Sequence, residues 1–139
     1  MAELRFYVAS CEESGGIYLC ETDGEGARVL QFFPTPRPMY LERKERLLYA
    51  VLRGTNDESL LVTYSLSPDG YIEKELSRVP TLGLVGCHLA VTDDGVFVAN
   101  YTSGNVFRTP CLSVSHTGHS AHPTRQSAPH VHAVIPTPD

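Results

Sequence analysis

Two histidines, an arginine and an amide near the C-terminus are the residue types of this sequence best suited to chemistry. Arg125 and Gln126 precede His130 and His132, which are two residues apart. Alternate residues of a strand share one face, so a strand over His130–Ile135 would present both imidazoles together. An imidazole can take a proton from water near neutral pH, and a guanidinium can hold a phosphate or polarise a carbonyl. The pattern therefore predicts a site for acid–base chemistry.

Each of these residues also has a purely structural interpretation. A His-x-His pair can fill a polar strand position by hydrogen bonding to neighbouring backbone. Arg125 can brace a loop, Gln126 can stabilise the same loop, and His88 can anchor a turn at the start of an earlier strand. From the sequence alone both interpretations stay open.

The remaining histidines raise the question of a metal site. Five of the six histidines lie between His116 and His132, and His116, His119 and His122 are spaced by two residues each. That stretch is rich in Ser, Gly and Pro, whereas zinc sites combine rigidly placed ligands with supporting hydrogen bonds. We therefore predict no metal and no other cofactor.

Composition limits the classes of function. A length of 139 residues with 42% hydrophobic content suits one packed domain over residues 1–139, and a net charge of −5 argues against a nucleic-acid partner. No apolar run is long enough for a membrane span. The cysteines at 11, 20, 87 and 111 are widely spaced, and no signal peptide is evident, so we expect reduced thiols and a cytoplasmic location.

The hydrophobic pattern is β almost throughout. Short runs of Val, Leu, Tyr and Phe alternate with turn residues, and no segment keeps a helical period for long. The stretch Leu112–Pro123 shows no clear outer strand. The predicted strands are Leu4–Ala9, Gly16–Glu21, Arg28–Phe33, Tyr40–Glu42, Leu47–Leu52, Ser59–Leu66, Ile72–Arg78, His88–Val91, Val96–Asn100, Val106–Thr109 and His130–Ile135.

The middle of the chain contains a repeat. Leu41–Val51 is a strand, a polar turn and a second strand, and His88–Asn100 has the same order. A third copy starts at His132–Val134 and reaches Asp139, which matches Asp94. The copies are about 45 to 50 residues apart, a spacing typical of four-stranded propeller blades.

The repeat predicts an all-β fold, a partial β-propeller of four-stranded antiparallel blades. At this period the chain holds about two and a half to three blades, and a closed ring needs at least about four. Each blade buries its faces only against neighbours. We therefore expect an open arc whose terminal faces are apolar and associate with each other.

Five segments in this order resemble the lactonase family of seven-bladed β-propellers, which contains the propeller-type 6-phosphogluconolactonases. They are Pro38–Leu41, Arg46–Val51, Cys87–Val91, Val98–Val106 and Arg125–Val134. The resemblance covers most of the chain and identifies it as an N-terminal portion of such a propeller, about two and a half to three blades of seven.

The resemblance implies hydrolysis of 6-phospho-glucono-lactone to 6-phosphogluconate in the pentose phosphate pathway. Lactone hydrolysis needs an activated water and a group that stabilises the oxyanion. His130 and His132 would be base or positioning groups, and Arg125 would bind the carbonyl or the phosphate. His88 and Gln126 would contact the substrate.

The resemblance also has departures. Gly86 stands where the family has a proline, and the chain ends before the blades that carry further groups of the cleft, so we expect this portion alone to be inactive. Two alternatives stay open: a non-catalytic propeller piece that acts in binding or as a scaffold, and a related muconate-cyclase-like enzyme. The expected partner is a small sugar-phosphate lactone, with neither nucleic acid nor membrane.

Overall fold

The computed structural model describes residues 3–138, which form eleven strands and no helix. No helix capable of crossing a membrane occurs in this part of the chain. The strands are β1 (Leu4–Ala9), β2 (Gly16–Thr22), β3 (Ala27–Pro34), β4 (Pro38–Lys44), β5 (Leu47–Arg53), β6 (Glu58–Leu66), β7 (Ile72–Leu84), β8 (Gly86–Thr92), β9 (Gly95–Asn100), β10 (Asn105–Arg108) and β11 (Leu112–Ser115).

The strands form three antiparallel sheets in chain order. The first contains β1, β2 and β3, the second β4 to β7, and the third β8 to β11. Strand β4 contacts β1 on one side and β8 on the other, so the first strands of the three sheets lie side by side. This arrangement confirms the predicted partial β-propeller, with β1, β4 and β8 as its inner strands.

Two apolar cores lie between neighbouring sheets. Strand β5 supplies both, because successive side chains point to opposite faces. Leu48, Ala50 and Leu52 join Ile17 in the core between the first and second sheets. Val51 faces the other way and packs with residues of the third sheet in the second core. The middle sheet is therefore covered on both faces, which is the packing that blades require.

The first ten predicted strands all form, and the largest difference is at β7, which continues to Leu84. Two predictions were wrong. The first concerns the stretch Leu112–Pro123, where no clear strand is predicted but Leu112–Ser115 forms β11. This strand pairs with β10, although all four of its residues are exposed.

The predicted strand His130–Ile135 is not formed. A strand needs a backbone partner for its N–H and C=O groups, and no described strand pairs with this segment. Side chains of β8 hold it instead. Asp139, which the repeat matches with Asp94, lies outside the described residues.

Candidate active site

The turn between β9 and β10 is held against the end of the second sheet. The Tyr101 N–H donates to the Val85 carbonyl at 2.9 Å, and the Thr102 N–H donates to the Leu84 carbonyl at 3.2 Å. In return, the Leu84 N–H donates to Ser103 Oγ at 2.8 Å. Val85 has a φ of 51°, which is rare for a β-branched residue. Hydrogen bonds to the end of the second sheet thus fix the backbone of Tyr101.

Buried amides on both sides of Tyr101 strengthen this arrangement. Asn100 is fully buried; its Nδ2 donates to the Thr81 carbonyl at 3.1 Å, and its Oδ1 accepts the Thr81 hydroxyl at 2.9 Å. Asn105 is also buried and donates to Leu82 O at 3.3 Å. Satisfied buried amides of this kind restrict a turn to one conformation.

His130 lies directly on Tyr101. Its Nδ1 is 3.0 Å from the Tyr101 carbonyl oxygen, and the two rings are stacked with centroids 4.4 Å apart and planes 11° apart. Because a carbonyl oxygen can only accept a hydrogen bond, Nδ1 must carry the proton. In the neutral ring the lone pair is then on Nε2, as a general base requires.

His132 contacts the same tyrosine from another direction. Its ring is edge-on to Tyr101, with centroids 4.6 Å apart and planes at 72°. His132 is exposed, whereas His130 is half-buried. The structure therefore brings the two predicted imidazoles together around one aromatic ring, although they do not lie on a strand.

Cys87 ties the histidine segment to β8. Its thiol lies 3.4 Å from the Val131 carbonyl oxygen and 3.3 Å from that of His132. Burial raises the pKa of the Cys87 thiol, which keeps the proton needed for donation. This contact replaces a backbone ladder between β8 and the segment.

His88 has the opposite proton arrangement from His130. Its Nδ1 accepts the Val134 N–H at 3.4 Å, so in the neutral ring the proton is on Nε2. The ring packs against Tyr40, with centroids 4.4 Å apart. His88 can therefore donate a hydrogen bond, while His130 can accept one.

Arg125 and Gln126 lie on the exposed loop that precedes His130. Together with His119 and His130 they line an open depression of about 420 Å³. The Gln126 side chain accepts the His122 N–H at 3.3 Å, so its amide oxygen serves the loop. The Arg125 backbone N–H donates to His122 Nδ1 at 3.0 Å, and its guanidinium has no ion-pair partner among residues 3–138.

Tyr101 is the candidate site residue that the sequence interpretation missed, because it lies within the segment Val98–Val106 and no chemistry is predicted for it there. The strand pairing explains its place in the site. Gly86 pairs with Asn100, so the residue after β9 must lie at the end of the sheet where β8 begins. That end also carries His88.

Within residues 3–138, no three His, Cys, Asp or Glu side chains are close enough together to hold a metal ion. His116 instead places Nδ1 3.3 Å from the Gly104 carbonyl oxygen, and His122 accepts hydrogen bonds from its own loop.

Comparison with known families identifies the class of protein. Residues 5–139 match the family described as lactonase, 7-bladed β-propeller. The chain therefore belongs to the lactonase family of seven-bladed β-propellers.

Solved structures show the same fold. A periplasmic gluconolactonase from Pseudomonas aeruginosa is 26% identical with a TM-score of 0.83, over 99% of this chain and 45% of its own. A candidate 6-phosphogluconolactonase from Bacteroides uniformis is 24% identical with a TM-score of 0.80, over 94% of this chain and 43% of its own. The chain thus spans less than half the length of these proteins. No curated protein matches the sequence.

Proposed function

We propose that this chain supplies the general base of a lactone hydrolase of the 6-phosphogluconolactonase type. The observation that carries the proposal is the hydrogen bond from His130 Nδ1 to the Tyr101 carbonyl, which leaves Nε2 as the acceptor. Support also comes from the family and from similar structures described as gluconolactonase or candidate 6-phosphogluconolactonase.

The reaction needs one water and one proton acceptor. His130 Nε2 takes a proton from water as the water oxygen attacks the lactone carbonyl carbon. The ring C–O bond of the tetrahedral intermediate then breaks, and the same proton passes from Nε2 to the leaving alkoxide. The products are a carboxylic acid and a hydroxyl, so the base is regenerated in each turnover.

Two further groups can stabilise negative charge on the substrate, one as a hydrogen-bond donor and one as a cation. His88 Nε2–H is a donor that can stabilise an oxyanion. The Arg125 guanidinium, in the depression beside His130, can bind a phosphate with two parallel hydrogen bonds. His132, which is exposed next to His130, would contact the substrate ring.

Hydrolysis of 6-phospho-glucono-lactone by this chain, and by any longer product of its reading frame, tests the proposal. The rate is measured for the wild type, His130→Gln and His132→Ala. Loss of a general base lowers kcat by about 10²- to 10⁴-fold, so we expect that loss for His130→Gln and a smaller one for His132→Ala. His116→Gln, an exposed histidine outside this group, is the matched control and keeps the wild-type rate.

Two results would overturn the proposal. If His130→Gln and His132→Ala both turn over like the wild type, these imidazoles are not the catalytic groups. If the longest product of the reading frame binds the lactone without opening it, the propeller is a binding module. The predicted cytoplasmic location is a separate proposal, which cell fractionation tests.

A further inference from the structure

The aromatic ring of Tyr101 contacts both imidazoles, and the reaction steps proposed above give this ring no role. One face is stacked on the His130 ring, with the ring centroids 4.4 Å apart. The same ring is edge-on to His132, with the centroids 4.6 Å apart. Among residues 3–138, the hydrogen bonds of Tyr101 involve its backbone N–H and carbonyl, and none involves its hydroxyl. The contacts therefore belong to the ring and not to the hydroxyl.

We propose that the Tyr101 ring is a positioning residue that sets the ring planes of His130 and His132. This inference rests on the proposed function, because it assigns the group that orients the base. The Tyr101 carbonyl fixes one atom of His130, Nδ1, yet a ring held at a single atom can still tilt about that bond. The stacked tyrosine face removes this freedom, so Nε2 keeps one direction.

His132 depends on the ring even more. It is exposed, and its imidazole nitrogens bond to no group within residues 3–138. Cys87 holds only its backbone carbonyl, so the edge-on contact is what orients the imidazole. Tyr101 itself is ordered by the bond from its N–H to Val85 O at 2.9 Å. One tyrosine thus connects the end of the second sheet to two histidines about thirty residues further along the chain.

The size of the effect follows from the strength of aromatic contacts. An aromatic pair contributes roughly a factor of ten or less beyond burial, and small displacements of a catalytic group lower rates by similar or larger factors. We expect Tyr101→Leu to lower kcat about 10-fold with little change in KM, and Tyr101→Phe to behave like the wild type.

The experiment compares Tyr101→Leu, Tyr101→Phe and the control Tyr18→Leu. Tyr18 is also half-buried and packs against Phe32 with centroids 4.8 Å apart, far from the histidines in sequence. Long-range ¹H–¹⁵N spectra report the tautomer of His130, and kcat and KM for 6-phospho-glucono-lactone are measured in parallel. Because the Tyr101 carbonyl is present in every variant, we expect the Nδ1–H tautomer in all of them. The His130 and His132 ring signals should be averaged by ring motion only in Tyr101→Leu, and Tyr101→Phe should rescue kcat.

The spectra separate failure of this inference from failure of the proposed function. A wild type with one ordered set of His130 and His132 ring signals, averaged in Tyr101→Leu, supports the positioning role even if no lactone is hydrolysed. Unchanged His130 and His132 signals in Tyr101→Leu overturn it. If that variant does not fold, the wild-type spectrum decides: the stacked ring must shift the His130 ring protons upfield, and unshifted protons contradict the stacking.

Discussion

The carbonyl oxygen of Pro129 occupies the space beside Gly104 that any larger residue would need. A Cβ built on Gly104 would lie 2.5 Å from that oxygen, and Gly104 has a φ of +65°. Glycine is thus required for both space and backbone conformation. Pro129 immediately precedes His130, so this close approach holds the start of the histidine segment against the turn that carries Tyr101.

Gly104→Ala is therefore expected to damage the site and the fold together. The left-handed conformation alone costs an alanine about 1–2 kcal/mol, and the overlap with Pro129 adds to that. Urea denaturation measures the loss, and the His130 ring signals should change in the folded fraction. Gly26→Ala is the control, since nothing lies within 4 Å of its Cβ; equal stability of the two variants would contradict the account.

The buried pair Thr81 and Asn100 gives a second prediction. Both residues are fully buried, and the Thr81 hydroxyl donates to Asn100 Oδ1 at 2.9 Å. Thr81→Val keeps the shape but leaves that oxygen without its donor, so the free energy of unfolding should fall by about 1–3 kcal/mol.

The control for this prediction is Thr63→Val. Thr63 is half-buried on β6, and its change should stay within about 0.5 kcal/mol. Chemical denaturation of both variants is the measurement. A loss of stability in Thr63→Val as large as in Thr81→Val would show that hydroxyl removal in a strand, and not the buried amide, explains the effect.

Glu21 makes stability depend on pH. The carboxylate is 3% exposed and bonds to Arg5 at 2.8 Å and to Arg28 at 2.6 Å. The Arg5 guanidinium, followed by that of Arg28, holds the pKa of Glu21 below its usual value of 4.5. A lowered native pKa means that the stabilisation is complete above the unfolded value and is lost as pH falls through the native one.

We therefore expect Glu21→Gln to be less stable than the wild type at pH 7, and the difference to shrink as pH falls below 4.5. Thermal unfolding at a series of pH values measures it. Glu25→Gln removes an exposed carboxylate on the following turn and serves as control. A difference between Glu21→Gln and the wild type that stays constant across this range would refute the ion-pair explanation.

Much of the fold could be predicted from local pattern, because strand alternation and turn residues are local properties. Strand β11 could not, since Leu112–Ser115 is short, exposed and serine-rich and is defined only by pairing with β10. The segment His130–Ile135 shows the converse. It has a strand-like pattern but no backbone partner among the described strands, so the local pattern alone does not produce a strand.

The site could be predicted in part for the same reason. The spacing of His130 and His132 predicts that the two imidazoles lie close together, and both contact one ring. That this ring belongs to Tyr101 depends on a contact between the turn after β9 and a segment about thirty residues later in the chain. A local sequence pattern cannot predict such a long-range contact. The proton positions on His88 and His130 likewise depend on backbone groups of distant residues.

The outer face of the first sheet predicts self-association of the 139-residue chain. Val8, Tyr18 and Phe32 pair across one face, and Phe32 is 44% and Val29 58% exposed. Exposed apolar faces of this kind favour association. We expect concentration-dependent oligomers in size-exclusion chromatography with light scattering, reduced by Phe32→Lys. A monomer at every concentration would contradict this prediction.

The proton position on His130 tests the central claim most directly, and it needs no substrate. The claim is that the Tyr101 carbonyl, 3.0 Å from His130 Nδ1, keeps the proton on Nδ1 and leaves Nε2 free to take one from water. A long-range ¹H–¹⁵N spectrum of the neutral histidine distinguishes the two tautomers. The account predicts a protonated Nδ1 and an unprotonated Nε2, and a neutral His130 that carries its proton on Nε2 would contradict it.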